Sequence, residues 1–149
     1  MKRSIYFLLT GVVSICLMNS CELFDITFTT GYEEITFTVN PSDAGEYILT
    51  EELMQSELKQ EIEDHGGSID NLKQVTVNEA VLSVLTAGKN LNPFEWIEVY
   101  ISTPNISEIL IASVSSVPDG NTSVTLQLPG EDLKSLLEEE EYTIMVVGG

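Results

Sequence analysis

Side-chain catalysis needs a nucleophile, a base or a set of metal ligands in convergent positions, and this chain holds few of the residue types that supply them. It has one histidine, His65, and two cysteines, Cys16 and Cys21. A Ser-His-Asp set would have to pass through His65, and no Gly-x-Ser-x-Gly turn occurs to display a serine. Carboxylates are the one abundant group, 24 against six basic residues, for a formal net charge of -18. Two carboxylates suffice for glycoside hydrolysis, which keeps a small carboxylate-dependent hydrolase as an alternative, although so many acids single out no pair. Oxygen ligands also suit calcium. The densest local group is Glu61, Glu63, Asp64 and Asp70 around Gly66-Gly67, but no Asp-x-Asp-x-Asp-Gly loop is present. The expectation is a chain with no catalytic residues, no metal and no cofactor.

A sharper pattern runs from Trp96 to Ile101. Ile97, Val99 and Ile101 alternate with Trp96, Glu98 and Tyr100. A strand with its aliphatic face in the core would turn an indole, a carboxylate and a phenol outward, the two rings about 13 Å apart. Such a row can stack on sugar rings or pack on a protein, so Trp96, Glu98 and Tyr100 are the candidate ligand-binding residues. In the competing reading the rings are covered by the segment 50 to 65, by a neighbouring strand or by a second sheet. Beyond Lys2 and Arg3 the only cationic residues are Lys59, Lys73, Lys89 and Lys134. Phosphate recognition leans on lysine and above all on bidentate guanidinium groups, so nucleic acids, nucleotides and anionic glycans are poor ligands.

The elements that must position these residues follow from periodicity. Ile26, Phe28 and Thr30, then Ile35, Phe37 and Val39, alternate with threonines about Gly31; this period-two pattern predicts a β-hairpin ending at Asn40-Pro41. Residues 50 to 65 predict the one substantial helix, capped by Thr50, with Leu53, Met54, Leu58 and Ile62 as its buried stripe. His65 suits its C-terminal turn and Gly66-Gly67 its termination. Strand patterns then recur over Val75 to Thr86, Trp96 to Ser102, Glu108 to Val114, Thr122 to Leu128 and Tyr142 to Val147. Pro104-Asn105, Pro118 to Asn121 and Pro129-Gly130 punctuate them as turns, and Glu131 to Leu137 suits a helical turn. The acidic run Glu138 to Glu141 reads as a solvated loop that stops that turn. The predicted fold class is mainly β: an antiparallel β-sandwich, immunoglobulin-like in general architecture, with one inserted amphipathic helix.

Ahead of this domain, Lys2 and Arg3 precede the apolar stretch Ile5 to Met18, then Asn19-Ser20 and Cys21. These are the charged, apolar and small-residue regions of an export leader. As a helix the apolar stretch would be about 21 Å long, short of the roughly 30 Å of hydrocarbon it would have to cross. Met18-Asn19-Ser20-Cys21 resembles the lipobox of bacterial lipoproteins, which implies lipid attachment at Cys21 and cleavage before it. The expected organisation is a leader over 1–20, a short lipid-anchored tether over 21–25 and a single β-sandwich domain over 26–149. Because Cys16 would leave with the leader, the remaining chain could form no internal disulfide.

The order of elements, with Asn92-Pro-Phe-Glu-Trp-Ile-Glu-Val-Tyr-Ile-Ser102, Glu108-Ile-Leu-Ile-Ala112 and Asp132-Leu-Lys-Ser-Leu-Leu137, is similar to small envelope lipoproteins of the Bacteroidetes type. The similarity covers most of the chain beyond Cys21. It implies a β-rich domain in the cell envelope, anchored at the outer membrane through its N-terminal lipid. The expected role is a non-enzymatic interaction module with a glycan or envelope-protein partner. The alternative is a structural subunit of an envelope assembly.

Overall fold

The computed structural model describes the backbone of residues 3–17, 24–31, 35–39 and 47–149, and side chains from residue 56 onward together with Leu53. Two antiparallel sheets make the described chain mainly β. Sheet A has the order β2 (Phe24–Gly31), β1 (Arg3–Leu17), β5 (Leu72–Val84), β8 (Ser123–Thr125), and β3 (Ile35–Val39) also pairs with β1. Sheet B has the order β4 (Tyr47–Gln55), β9 (Glu141–Gly148), β6 (Ile97–Ser102), β7 (Ile109–Val114). Both sheets feed one core: Leu72, Val75, Val77, Ala80 and Leu82 of β5 belong to the same buried cluster as Ile97, Val99 and Ile101 of β6 and Tyr142, Ile144 and Val146 of β9.

β5 shows how local irregularity keeps a long strand in phase with its core. Its buried residues are two apart except from Leu72 to Val75 and from Val77 to Ala80, where they are three apart. The ladder with β1 shifts register at those two places, skipping Lys73 and Asn78. Each bulge adds one residue, which would otherwise turn every following side chain to the wrong face.

The residues expected to form a hairpin are strands, but they do not pair with each other. β2 pairs with Thr10 to Leu17 of β1, and β3 with Arg3 to Phe7, both antiparallel. Ile5, Tyr6 and Phe7 pair with β3 and also with β5, so β2 and β3 follow one another along the side of β1 opposite β5. The period-two pattern identified the strands correctly, and the ladder partner of each is β1. β1 itself lies on the segment expected to be a leader.

The expected helix over 50 to 65 is the larger correction. Residues 47 to 55 form β4, paired along its length with β9 from Tyr47↔Gly148 to Gln55↔Glu141, and only Leu58–Asp64 is helical (α1). Thr50 therefore lies within β4, and Glu57 holds the N-cap position of α1 without a side-chain hydrogen bond. Leu58 and Ile62 are buried as expected, whereas Leu53, placed in the same stripe by the sequence, is 63% exposed. Helix propensity is worth a few tenths of a kcal/mol per residue, and a full ladder with a neighbouring strand outweighs it.

The C-terminal end of α1 matches expectation in detail. Gly66, at φ 78°, donates its N–H to the Glu63 carbonyl and Gly67 to that of Ile62, the paired bonds of a Schellman ending. The expected turn near residue 131 is α2 (Lys134–Leu137), with Leu136 and Leu137 buried. Asp132 organises its start: Oδ1 accepts from the N–H of Lys134 at 3.0 Å and of Val75 at 3.1 Å. Glu138 to Glu141 spans the turn after α2 and the first residue of β9; Glu138 lies 3.8 Å from Lys134 Nζ, and Glu139 accepts from Asn105 Nδ2 at 3.1 Å.

Residues 123–127 cross from one sheet to the other. β8 pairs with Val81 to Ser83 of β5; Leu126 N–H then donates to the Ala80 carbonyl, and Gln127 exchanges two backbone bonds with Ser113 of β7, at 2.7 and 2.9 Å.

Candidate functional site

β6 lies inside sheet B, between β9 and β7, so both its edges are paired and its side chains alone decide what it offers to solvent. Its alternation places Ile97, Val99 and Ile101 in the core at 0 to 2% exposure. Glu98 and Tyr100 point to the other face, and both are half-buried. Trp96 precedes the strand but continues its pattern: it exchanges backbone hydrogen bonds with Gly149, N–H to O at 3.2 Å and O to N–H at 3.3 Å. The predicted row of Trp96, Glu98 and Tyr100 thus exists on one face, with its rings partly covered.

Register identifies the cover. Residues directly opposite in a ladder share a face, so Glu98 lies between Val147 and Ser113, and Tyr100 between Met145 and Leu110. Gly149 packs on the indole so closely that a Cβ there would stand 2.9 Å from Nε1 and 3.1 Å from Cε2. Only a residue without a side chain tolerates that approach. The row is therefore half-buried among Val147, Met145, Leu110 and Ser113, neither freely projecting nor fully covered. Leu53 of β4 stands on the same face, reached through Thr143 of β9.

Within the row one contact is polar and specific. Tyr100 donates its hydroxyl to Glu98 Oε2 at 2.6 Å, the short distance of a bond from a neutral hydroxyl to a carboxylate. That bond ties one oxygen of the Glu98 carboxylate to the phenol, in a row of half-buried side chains that also carries the Trp96 indole. A fixed acceptor flanked by two aromatic rings is suited to a ligand with hydroxyl donors and an apolar face.

The other sequence candidates are placed less productively. His65 is the C-cap of α1 and its Nδ1 lies 2.8 Å from the Glu61 carbonyl, to which it donates. Glu61, Glu63, Asp64 and Asp70 surround the end of α1 but do not converge; among the described residues no group of three or more such side chains could hold a metal ion. Asp64 instead accepts from Gln60 Nε2 at 2.7 Å. Cys21, the candidate lipidation site, lies outside the described residues, as do Asn19 and Ser20 before it. Comparison with protein-family models, with curated proteins and with solved structures finds no match for this chain. Among the described residues no helix is long and apolar enough to cross a membrane.

Sequence reading missed Met145, Leu110 and Leu53 as neighbours of the row. Met145 and Leu110 carried a signal as apolar residues at outward positions of strands legible in the sequence, whereas Leu53 reads as part of a helix; the meeting of all three depends on the strand order of sheet B.

Proposed function

We propose that this chain is a lipid-anchored module of the cell envelope, held at the outer membrane through Cys21, that binds a partner without turning it over. Its domain is an antiparallel β-sandwich of immunoglobulin-like architecture, with a neutral glycan or an envelope protein docking along β6. The observation that carries the reading is the row Trp96, Glu98, Tyr100, in which the Tyr100–Glu98 hydrogen bond holds an acceptor between two rings. The leader pattern ending at Cys21 supports the location. A domain with 24 acidic residues and no arginine beyond the leader repels anionic polymers, which favours uncharged sugars over acidic ones and leaves nucleic acid out.

The test is titration of the protein with neutral and acidic oligosaccharides, followed through Trp96, the only tryptophan in the chain. Saturable quenching by a neutral glycan, lost in Glu98→Gln and Tyr100→Phe, is the expected result. Binding unchanged by both substitutions, or consumption of the glycan, would remove the proposal.

A further inference from the structure

Strand β1 occupies the leader segment and sits inside sheet A, and this has consequences for the chain after cleavage. Its ladder with β5 runs from Ile5↔Val84 to Ile15↔Leu72, and its other side carries β2 and β3 from Leu17↔Phe24 to Arg3↔Val39. Cleavage before Cys21 removes all of β1. One event then strips the partner from two sets of backbone groups, one edge of β5 and the facing edge of β2–β3.

The opposite edge of β5 cannot share this loss, because it is already occupied. Val84 N–H donates to Thr122 O, Ala80 O accepts from Leu126, β8 pairs with Val81 to Ser83, and Val75 is bonded by Asp132 and Leu133. The vacancy is therefore one strand wide, bounded by β5 and by β2–β3. Direction decides what can fill it. β5 and β2–β3 are each antiparallel to β1, so within one chain they run parallel to each other. Sliding β2–β3 sideways by about 4.8 Å would create a parallel ladder. The bulges at Lys73 and Asn78 are features of an antiparallel one and are rare in parallel pairs. A second copy can present the same β2–β3 residues in the antiparallel sense, with the Ile/Phe alternation needed to replace the lost strand. Both copies would be tethered at Cys21, three residues from the start of β2, and so held at the same height in one leaflet.

We propose that leader removal turns sheet A into an acceptor for the β2–β3 segment of a second copy of this chain, joining two anchored copies by reciprocal strand exchange. The proposal rests on the lipid-anchor reading above, since an uncleaved chain keeps its own β1. Exchange of an identical element satisfies both vacated edges in each copy at little cost, and an open sheet edge is otherwise a site of uncontrolled pairing.

The test uses full-length chains with their own leader, co-expressed with two different tags in a bacterium that processes lipoproteins. One chain carries a cysteine at Thr27, Thr29 or Thr36, the other at Gln74, Thr76 or Ser83. Cys16 leaves with the leader and Cys21 is blocked as a thioether, so the introduced thiols are the only ones. Intact mass of the extracted protein reports where the chain starts. The expected result is a mass beginning at lipidated Cys21 and, on oxidation, a reducible dimer carrying both tags, about tenfold above a control pairing Thr29→Cys with Glu131→Cys, as pre-formed pairing raises local concentration. A cleaved chain that gives no mixed dimer at any pair overturns the strand exchange and leaves the anchor intact. So does one in which the same pairs, placed in one chain, close only within it. A mass beginning at Met1 overturns the anchor, and the vacancy with it.

Discussion

Trp96, just before β6, and Ile97, its first residue, are adjacent and face opposite sides, and their truncation to alanine tests whether the outward row is a surface or a second core. Ile97 is 0% exposed and belongs to the cluster shared by both sheets, so Ile97→Ala should cost about 3 to 4 kcal/mol, within the range for such truncations. A fully buried tryptophan costs about 3 to 5 kcal/mol. Trp96 is half-buried, with Nε1, Cε2 and Cζ2 of its indole against Gly149, so roughly half of that figure, about 2 kcal/mol, is expected. With a urea dependence of about 2 kcal/mol per M for a domain of this size, the midpoint should fall by about 1.5 to 2 M for Ile97→Ala and by about 1 M for Trp96→Ala. Far-UV circular dichroism is the appropriate probe, since the substitution removes the only tryptophan. Equal losses from both substitutions would show that the indole is as deeply packed as the isoleucine and would refute the description of the row as a ligand face.

Other expectations follow from single contacts. Asp132→Ala removes the acceptor for two backbone N–H groups, on Val75 and Lys134, and should lower stability by about 1 to 2 kcal/mol, with Asp132→Asn costing less, both read by chemical denaturation. Gly66→Ala meets no atom within 4 Å but must adopt φ near 78°; a loss of about 1 kcal/mol is expected from backbone strain alone, and a neutral substitution would argue against the Schellman ending. Cys21→Ala should abolish incorporation of an alkyne fatty acid and stop leader cleavage, measured by metabolic labelling and intact mass; label that persists on the variant would place the anchor elsewhere.

The legible parts of the sequence were those in which local pattern and tertiary packing agree. β6 was read correctly down to which residues face the core, because Ile97, Val99 and Ile101 alternate without a break and Trp96, Glu98 and Tyr100 fill every other position. The end of α1 was legible because two successive glycines after His65 leave little else for the chain to do. β4 was not, because Glu51, Glu52, Leu53 and Met54 are good helix formers and the partner that makes them a strand lies some ninety residues later, in β9. β5 was found but its start was misplaced, since the bulges at Lys73 and Asn78 break the alternation that identifies a strand. For the candidate site, the three residues were visible but their bedding was not: Met145 and Leu110 reach Tyr100 only through a strand order that no local pattern encodes.

The crossing of residues 123–127 from β5 to β7 joins the two sheets through the peptide backbone as well as through side chains. Sheets held only by apolar contact can slip or part along their interface, since such attraction has no direction. Here, separation along that line must first break the bonds at Leu126 and Gln127, so this rim of the interface acts as a rivet. The consequence is measurable in amide exchange: the N–H groups of Leu126 and Gln127 should open only with the whole fold, as slowly as those in the middle of β6, although they belong to a short, largely exposed segment. Under the anchoring and docking proposed above, the domain would be pulled between those two points, and a rivet across its sheets would let that load pass through the backbone instead of prising the core apart.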